Sequence, residues 1–208
     1  MKIESVSGAA DRAGKYRVAF DDGRTLRLYR QTLEDFGLYS GMELTDTEYG
    51  QLLTAAGKMS AKMRAVRIVS ASAVSTGDLQ QRLIQKGETP EDAAAAVTWM
   101  TELSLLDDEK TAQQIVQRCI SKGYGLARAK QALYEKRIPK ELWEAVLSDY
   151  PQQTDKITEF LQSKLTSRSD NKEIRKAIDA LIRRGHSYGQ IRKALSQLDL
   201  ETDEDFYG

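Results

Sequence analysis

One cysteine, one histidine and three prolines are all that 208 residues contain of these types, and each scarcity removes a class of protein. A lone thiol, Cys119, cannot close an intramolecular disulfide, which points to a reducing compartment. A lone imidazole, His186, excludes a histidine metal cluster, and any Ser–His–Asp or Cys–His site would depend on that single ring. Aromatic residues make up 7% of the chain, which argues against single-strand binding by base stacking. No apolar run approaches the ~20 residues of a membrane helix, and the N-terminus has no signal-peptide apolar region. Acids and bases number 31 each, so the chain is not a simple basic coat for nucleic acid. The expectation is a soluble cytoplasmic protein.

What is present is helix-forming sequence that repeats. Leu83-Ile84-Gln85-Lys86-Gly87 aligns with Leu133-Tyr134-Glu135-Lys136-Arg137 and with Leu181-Ile182-Arg183-Arg184-Gly185. A turn follows each copy: Glu88-Thr89-Pro90, Ile138-Pro139 and His186-Ser187-Tyr188. The offsets are about 50 and about 48 residues, a fixed period of the kind that marks tandem arrays. Helices of ~12 to 15 residues are marginal alone, so each must bury an apolar stripe against its neighbours. The fold class is therefore mainly α: three tandem three-helix repeats in an elongated curved array.

A small β-hairpin/α module precedes the array. Met1 to Val6, Lys15 to Phe20 and Thr25 to Tyr29 alternate in polarity, with Asp21-Asp22-Gly23-Arg24 as the hairpin turn. Arg30 to Phe36 reads as a short helix ended by Gly37, and Thr45 with Glu48 as a capping box opening another. Five segments result: the module at 1–57, repeats at 58–106, 107–150 and 151–198, and an acidic tail at 199–208. Ser75 or Thr76 and Asp107 or Asp108 are expected helix caps, and Pro139 is expected to repeat the first-turn role of Pro90. A short insertion near Ser167 to Asp170 puts the last copy out of step. The tail has too little apolar surface to fold alone and is expected to be disordered.

No constellation supports catalysis, a metal or a cofactor. His186 ends a helix beside Gly185 and reads as a helix-end polar residue, while Cys119 lies on an apolar stripe with Ile115 and Val116. Gly123-Tyr124-Gly125 follows a helix, not a strand, and lacks the lysine of a phosphate loop. Asp107, Asp108 and Glu109 suit the positive end of a helix dipole. Charge is nonetheless uneven: Lys58 to Lys86 and Lys156 to Lys193 are rich in bases, and the tail carries acids alone. Arg and Lys along a groove are what phosphate or an acidic protein surface requires. The candidate contacts are Lys122, Arg128, Lys130, Lys136, Arg175, Lys176, Arg183, Arg184, Arg192 and Lys193. The competing reading is a helical DNA-binding protein, with the turn at Lys86-Gly87 or Arg184-Gly185 forming a helix-turn-helix.

Leu105-Leu106-Asp107-Asp108-Glu109, Ala112, Arg118, Lys122-Gly123-Tyr124-Gly125, Arg128, Leu133 and Lys136 resemble the signature of the RecX family. The N-terminal extension, with Asp21-Asp22-Gly23 and the Gly37-Leu38, Ser40-Gly41 and Leu44 stretch, is similar to that of many members. Arg137 stands where the family usually has glycine, and Lys130 near where an apolar residue is common. The resemblance implies a non-enzymatic regulator of the RecA recombinase, acting in DNA repair and homologous recombination. Such a protein would lodge in the groove of the RecA–DNA filament and inhibit ATP hydrolysis, strand exchange and the co-protease activity behind the SOS response. Single-stranded DNA would be met directly or through the filament. Nothing demands more than a monomer, and no membrane is implied.

Overall fold

In the computed structural model, residues 1–166 and 169–198 are described. The acidic end at 199–208 lies outside them, as do residues 167–168 of the insertion. The chain divides into two compact units, Met1–Leu106 and the remainder from Asp107.

The first unit opens with an antiparallel sheet of β1 (Ile3–Val6), β2 (Lys15–Phe20) and β3 (Thr25–Tyr29), in that order. Val18 pairs with Leu26 and Tyr16 with Leu28, while a bulge between Ile3 and Ser5 shifts the first pairing. Alternation works as the pattern requires: Val18 and Phe20 are buried on one face, with Tyr16 half-buried beside them. Gly23, at φ +83°, makes the hairpin turn. Helix α1 (Arg30–Asp35) follows, and then α2 (Asp46–Ala71). The Thr45 capping box is complete: Thr45 Oγ1 accepts from the Glu48 amide at 3.2 Å, and Glu48 Oε2 accepts from the Thr45 amide at 2.8 Å.

The boundary expected at Gly57 falls inside α2, which runs unbroken for 26 residues. One glycine costs a helix only about 1 kcal/mol, so α2 continues through it. A Cβ on Gly57 would meet the carboxylate of Asp92 at 2.6 Å, so the Asp92 side chain of α4 (Pro90–Glu102) occupies the space that the glycine leaves. The two halves of α2 serve different cores. Leu52 packs under the sheet with Ile3, Val18, Phe20, Leu28 and Leu44. Ala61 and Ala65 pack with α3 (Thr76–Gln85) and α4 around Leu79, Leu83, Ala96 and Met100. Ser75 and Thr89 cap α3 and α4, and Pro90 sits in the first turn.

The second unit holds two further triplets. In the middle one, α5 (Asp108–Ser121) is capped by Asp107, and α6 (Leu126–Glu135) follows. Pro139 does not repeat the role of Pro90. It precedes a 3-10 turn, Lys140–Leu142, and only then α7 (Trp143–Leu147), five residues long. Pro139 stands at an N-cap position and brings no side-chain acceptor, so no residue there plays the part of Thr89. The last triplet comprises α8 (Thr154–Lys164), α9 (Asn171–Arg183) and α10 (Tyr188–Leu195), with Asp170 capping α9 and a Ser187–Gln190 capping box on α10.

The second helix of every triplet ends in the same hydrogen-bonded reversal. Glu88 donates to Leu83 O and Gly87 to Ile84 O; Ile138 to Leu133 O and Arg137 to Tyr134 O; His186 to Leu181 O and Gly185 to Ile182 O. This Schellman pair needs a left-handed residue, and Gly87, Arg137 and Gly185 supply it at φ +92°, +52° and +86°. These are the three positions that the sequence alignment superposes.

Candidate functional site

The middle and last triplets meet through backbone. Gly125 begins α6 without a side-chain cap, yet two amides there find partners at the end of α9. The Gly125 amide donates to Arg184 O at 2.9 Å and the Ala127 amide to Gly185 O at 3.2 Å. The N-terminus of α6 thus faces the C-terminal carbonyls of α9, pairing the positive end of one helix dipole with the negative end of the other. Such contact requires glycine on both sides. A Cβ on Gly125 would fall on the Gly185 carbonyl, and one on Gly185 would fall on the Arg128 amide.

His186 completes this joint. His186 follows the C-terminus of α9 as the sequence reading has it, and it is also buried, at 5% exposed, with Nε2 3.0 Å from Gly123 O. The turn of the middle triplet closes over it, which no local pattern around His186 encodes. Its Nδ1 is buried without a partner, so the neutral tautomer with the proton on Nε2 fits the site. Burial holds the imidazole below its ordinary range, opposed by the bond to Gly123 and reinforced by the Arg184 charge. Tyr150 also ties the joint, its hydroxyl donating to Tyr124 O at 2.6 Å, and burial pushes that phenol up to about 12. Gln153 adds a bond to Ile120 O at 3.1 Å. Cys119 is buried, which raises its thiol pKa.

Beside the joint the structure brings three candidate contacts together. Arg128, Arg183 and Arg184 line one pocket of about 310 Å³ with Tyr124 and Ala180. Arg128 is partly neutralised by Glu135 at 3.0 Å, and the Arg184 guanidinium stacks over the Phe160 ring at 4.3 Å. Lys176, exposed on α9, lies one helical turn before Ala180 and extends the same stripe. The other candidates are exposed but dispersed: Arg175 on α9, Lys122 and Lys136 at the C-caps of α5 and α6, and Lys130 on another face of α6. Arg192 and Lys193 occupy the last turn of α10, where cations suit the negative end of the dipole.

A second basic cluster was not among the candidates. Within the first unit, Lys15, Arg27, Arg64, Arg67, Arg82 and Lys86 line a cleft of about 570 Å³. All four arginines are held in place: Arg64 by Glu88 at 2.8 Å, Arg82 by Asp78 at 2.9 Å, Arg27 by Asp11 at 3.8 Å, and Arg67 by Ala13 O at 2.6 Å. The excess of base between Lys58 and Lys86 was the available signal, but strands β2 and β3 supply the other wall from far away in sequence. Among the described residues no cluster of His, Cys, Asp and Glu could hold a metal, and no helix is long and apolar enough to cross a membrane.

Fold and joint together define a tandem three-helix repeat protein fronted by a small antiparallel sheet. The family model for the second three-helix domain of RecX matches residues 107–147. The chain is 28% identical over 194 residues to the regulatory protein RecX of Streptococcus gordonii, covering 91% of this chain and 75% of the relative. It is 31% identical over 141 residues to the regulatory protein RecX of Vibrio parahaemolyticus, covering 66% of this chain and 91% of that one. A solved structure, the crystal structure of regulatory protein RecX, shares the fold with a TM-score of 0.65 at 19% identity, over 94% of this chain and 99% of its own. The chain belongs to the RecX family.

Proposed function

We propose that this RecX-type regulator is a non-enzymatic inhibitor of the RecA recombinase, seated in the groove of the RecA–DNA filament. There it restrains ATP hydrolysis, strand exchange and the co-protease activity of the SOS response. The observation that carries this reading is the convergence of Arg128, Arg183 and Arg184 at a joint made of backbone. Guanidiniums on two triplets keep a fixed spacing only if the triplets are locked, and the glycine contact locks them. A cationic surface of this kind suits an anionic partner, phosphate or carboxylate, and the contacts of Arg128 with Glu135 and of Arg184 with Phe160 reduce the side-chain ordering to be lost on binding. By bridging neighbouring protomers it would block the relative movement that ATP turnover requires. Lys122, Lys130, Lys136, Arg175, Lys176, Arg192 and Lys193 are assigned supporting contacts, and single-stranded DNA is reached directly or through the filament.

The test is ATP hydrolysis by preformed RecA filaments on single-stranded DNA, titrated with the protein. Inhibition at substoichiometric amounts is expected, with a loss of at least tenfold in potency for R128E/R183E/R184E. A folded wild-type chain without effect would overturn the reading. Salt-sensitive, sequence-selective binding to duplex DNA without recombinase would favour the helix-turn-helix alternative.

A further inference from the structure

The middle triplet leaves a groove open between α6 and the short α7. One wall is a stripe of α6 at helical spacing, Leu126, Lys130 and Tyr134, continued by Arg137. The other wall carries Lys140, Trp143 and Leu147, and two depressions of about 540 and 340 Å³ run together at Lys140 and Trp143. Leu126 is 41% exposed and Tyr134 65%. Trp143 is fixed by its indole N–H, which donates to Ile138 O at 3.1 Å.

The chemistry of the groove is two-sided. Its floor is apolar, which a phosphodiester chain does not reward. Its rim carries Lys130, Arg137 and Lys140 against Glu144, since Glu135 is drawn to Arg128. Apolar side chains flanked by carboxylates match both features, and an amphipathic helix presents them at the spacing that the α6 stripe offers. We propose that this groove docks an acidic amphipathic segment of the partner protein, its apolar side chains on Leu126, Trp143 and Leu147 and its carboxylates on Lys130, Arg137 and Lys140. The inference rests on the proposed function, in which that partner is the RecA filament.

The experiment compares wild type, L126S/Y134S and K130E/K140E, each checked by circular dichroism and thermal melting. Affinity is measured for RecA filaments on single-stranded DNA and for the bare DNA. L126S/Y134S leaves net charge unchanged, so the expected result is at least a tenfold loss toward filaments with bare-DNA binding intact. K130E/K140E is expected to show a comparable loss toward filaments. Wild-type affinity for filaments in both variants would overturn the groove assignment while leaving the filament reading standing. Failure of the wild type itself to bind filaments would remove both. Two results would assign another occupant and overturn the proposal: a self-associated chain dispersed by L126S/Y134S, or a shift of Trp143 emission, in a W99F background, on removing residues 199–208.

Discussion

The middle and last triplets share a plan and differ in how they finish it. The last buries ten residues in one cluster, from Ile157 and Leu161 to Ile191 and Leu195. The cluster of the middle one holds four, Ala112, Val116, Leu133 and Ile138, with Cys119 and Ala129 buried outside it, and leaves Ile115, Trp143, Val146 and Leu147 only partly covered. The cause lies in the third helix: α10 begins with a capping box, whereas Pro139 yields to a 3-10 turn and a five-residue helix. Where a repeat departs from its own pattern, apolar surface stays open for something else. The last triplet is closed on its own core and shares the joint with the middle one, which also supplies the open face.

The largest test of that division is at the joint. G185A should destabilise the second unit by roughly 3 kcal/mol or more, because the new Cβ meets backbone that cannot yield. G87A occupies the same turn position in open space and should cost only about 1 to 2 kcal/mol of left-handed strain. Single-tryptophan variants follow each transition, Trp99 reporting the first unit and Trp143 the second. Equal losses at the two glycines would refute the joint.

Next comes pH. The folded-state pKa of His186 lies below its unfolded value, so the unfolded chain binds the proton more tightly. Stability of the second unit is therefore full above about pH 6.5 and falls as pH drops toward the folded value. With one histidine in the chain, H186N should flatten the Tm-against-pH profile between pH 5 and 7. A profile unchanged by the substitution would refute the buried neutral ring. The asparagine variant should also be less stable at pH 7.5, by about 1 to 3 kcal/mol, because the shorter amide leaves Gly123 O unsatisfied.

The smallest effect has the opposite sign. Arg137 holds a left-handed conformation at φ +52° where the other two triplets use glycine. R137G should stabilise the second unit by about 1 kcal/mol, read as a rise in Tm. A fall would mean that the side chain repays its strain through contacts along the groove.

Features written in consecutive residues could be read in advance. The Thr45–Glu48 box, the caps at Ser75 and Asp107, the Asp21–Arg24 hairpin and the three aligned turns each depend on a few neighbouring side chains. Features made by residues far apart could not. Gly125 and Gly185 carry no mark that they touch, and His186 looks like any polar residue after a helix until Gly123 is found over it. The unit-one cleft escaped notice because its walls come from separate stretches of sequence, Asp11 to Tyr29 and Arg64 to Lys86. Gly57 misled for a related reason: a glycine reads as a stop, and only the packing of Asp92 against it shows a close crossing. Of the candidate contacts, charge alone located Arg128, Arg183 and Arg184, but not that they would share a pocket.

One helix, α2, belongs at its start to the sheet's core and at its end to the first triplet. Severing the chain at Lys58 would therefore not release a domain; it would cut α2 in two, leaving Leu52 with Phe20 and Leu28 on one fragment and Ala61 and Ala65 on the other without the Thr45 cap. Met1–Leu106 should accordingly melt as a single cooperative block, with hydrogen exchange equally slow at Leu52 and Ala65. The N-terminal sheet is thus a structural mortgage on the first triplet, inherited or lost together with it.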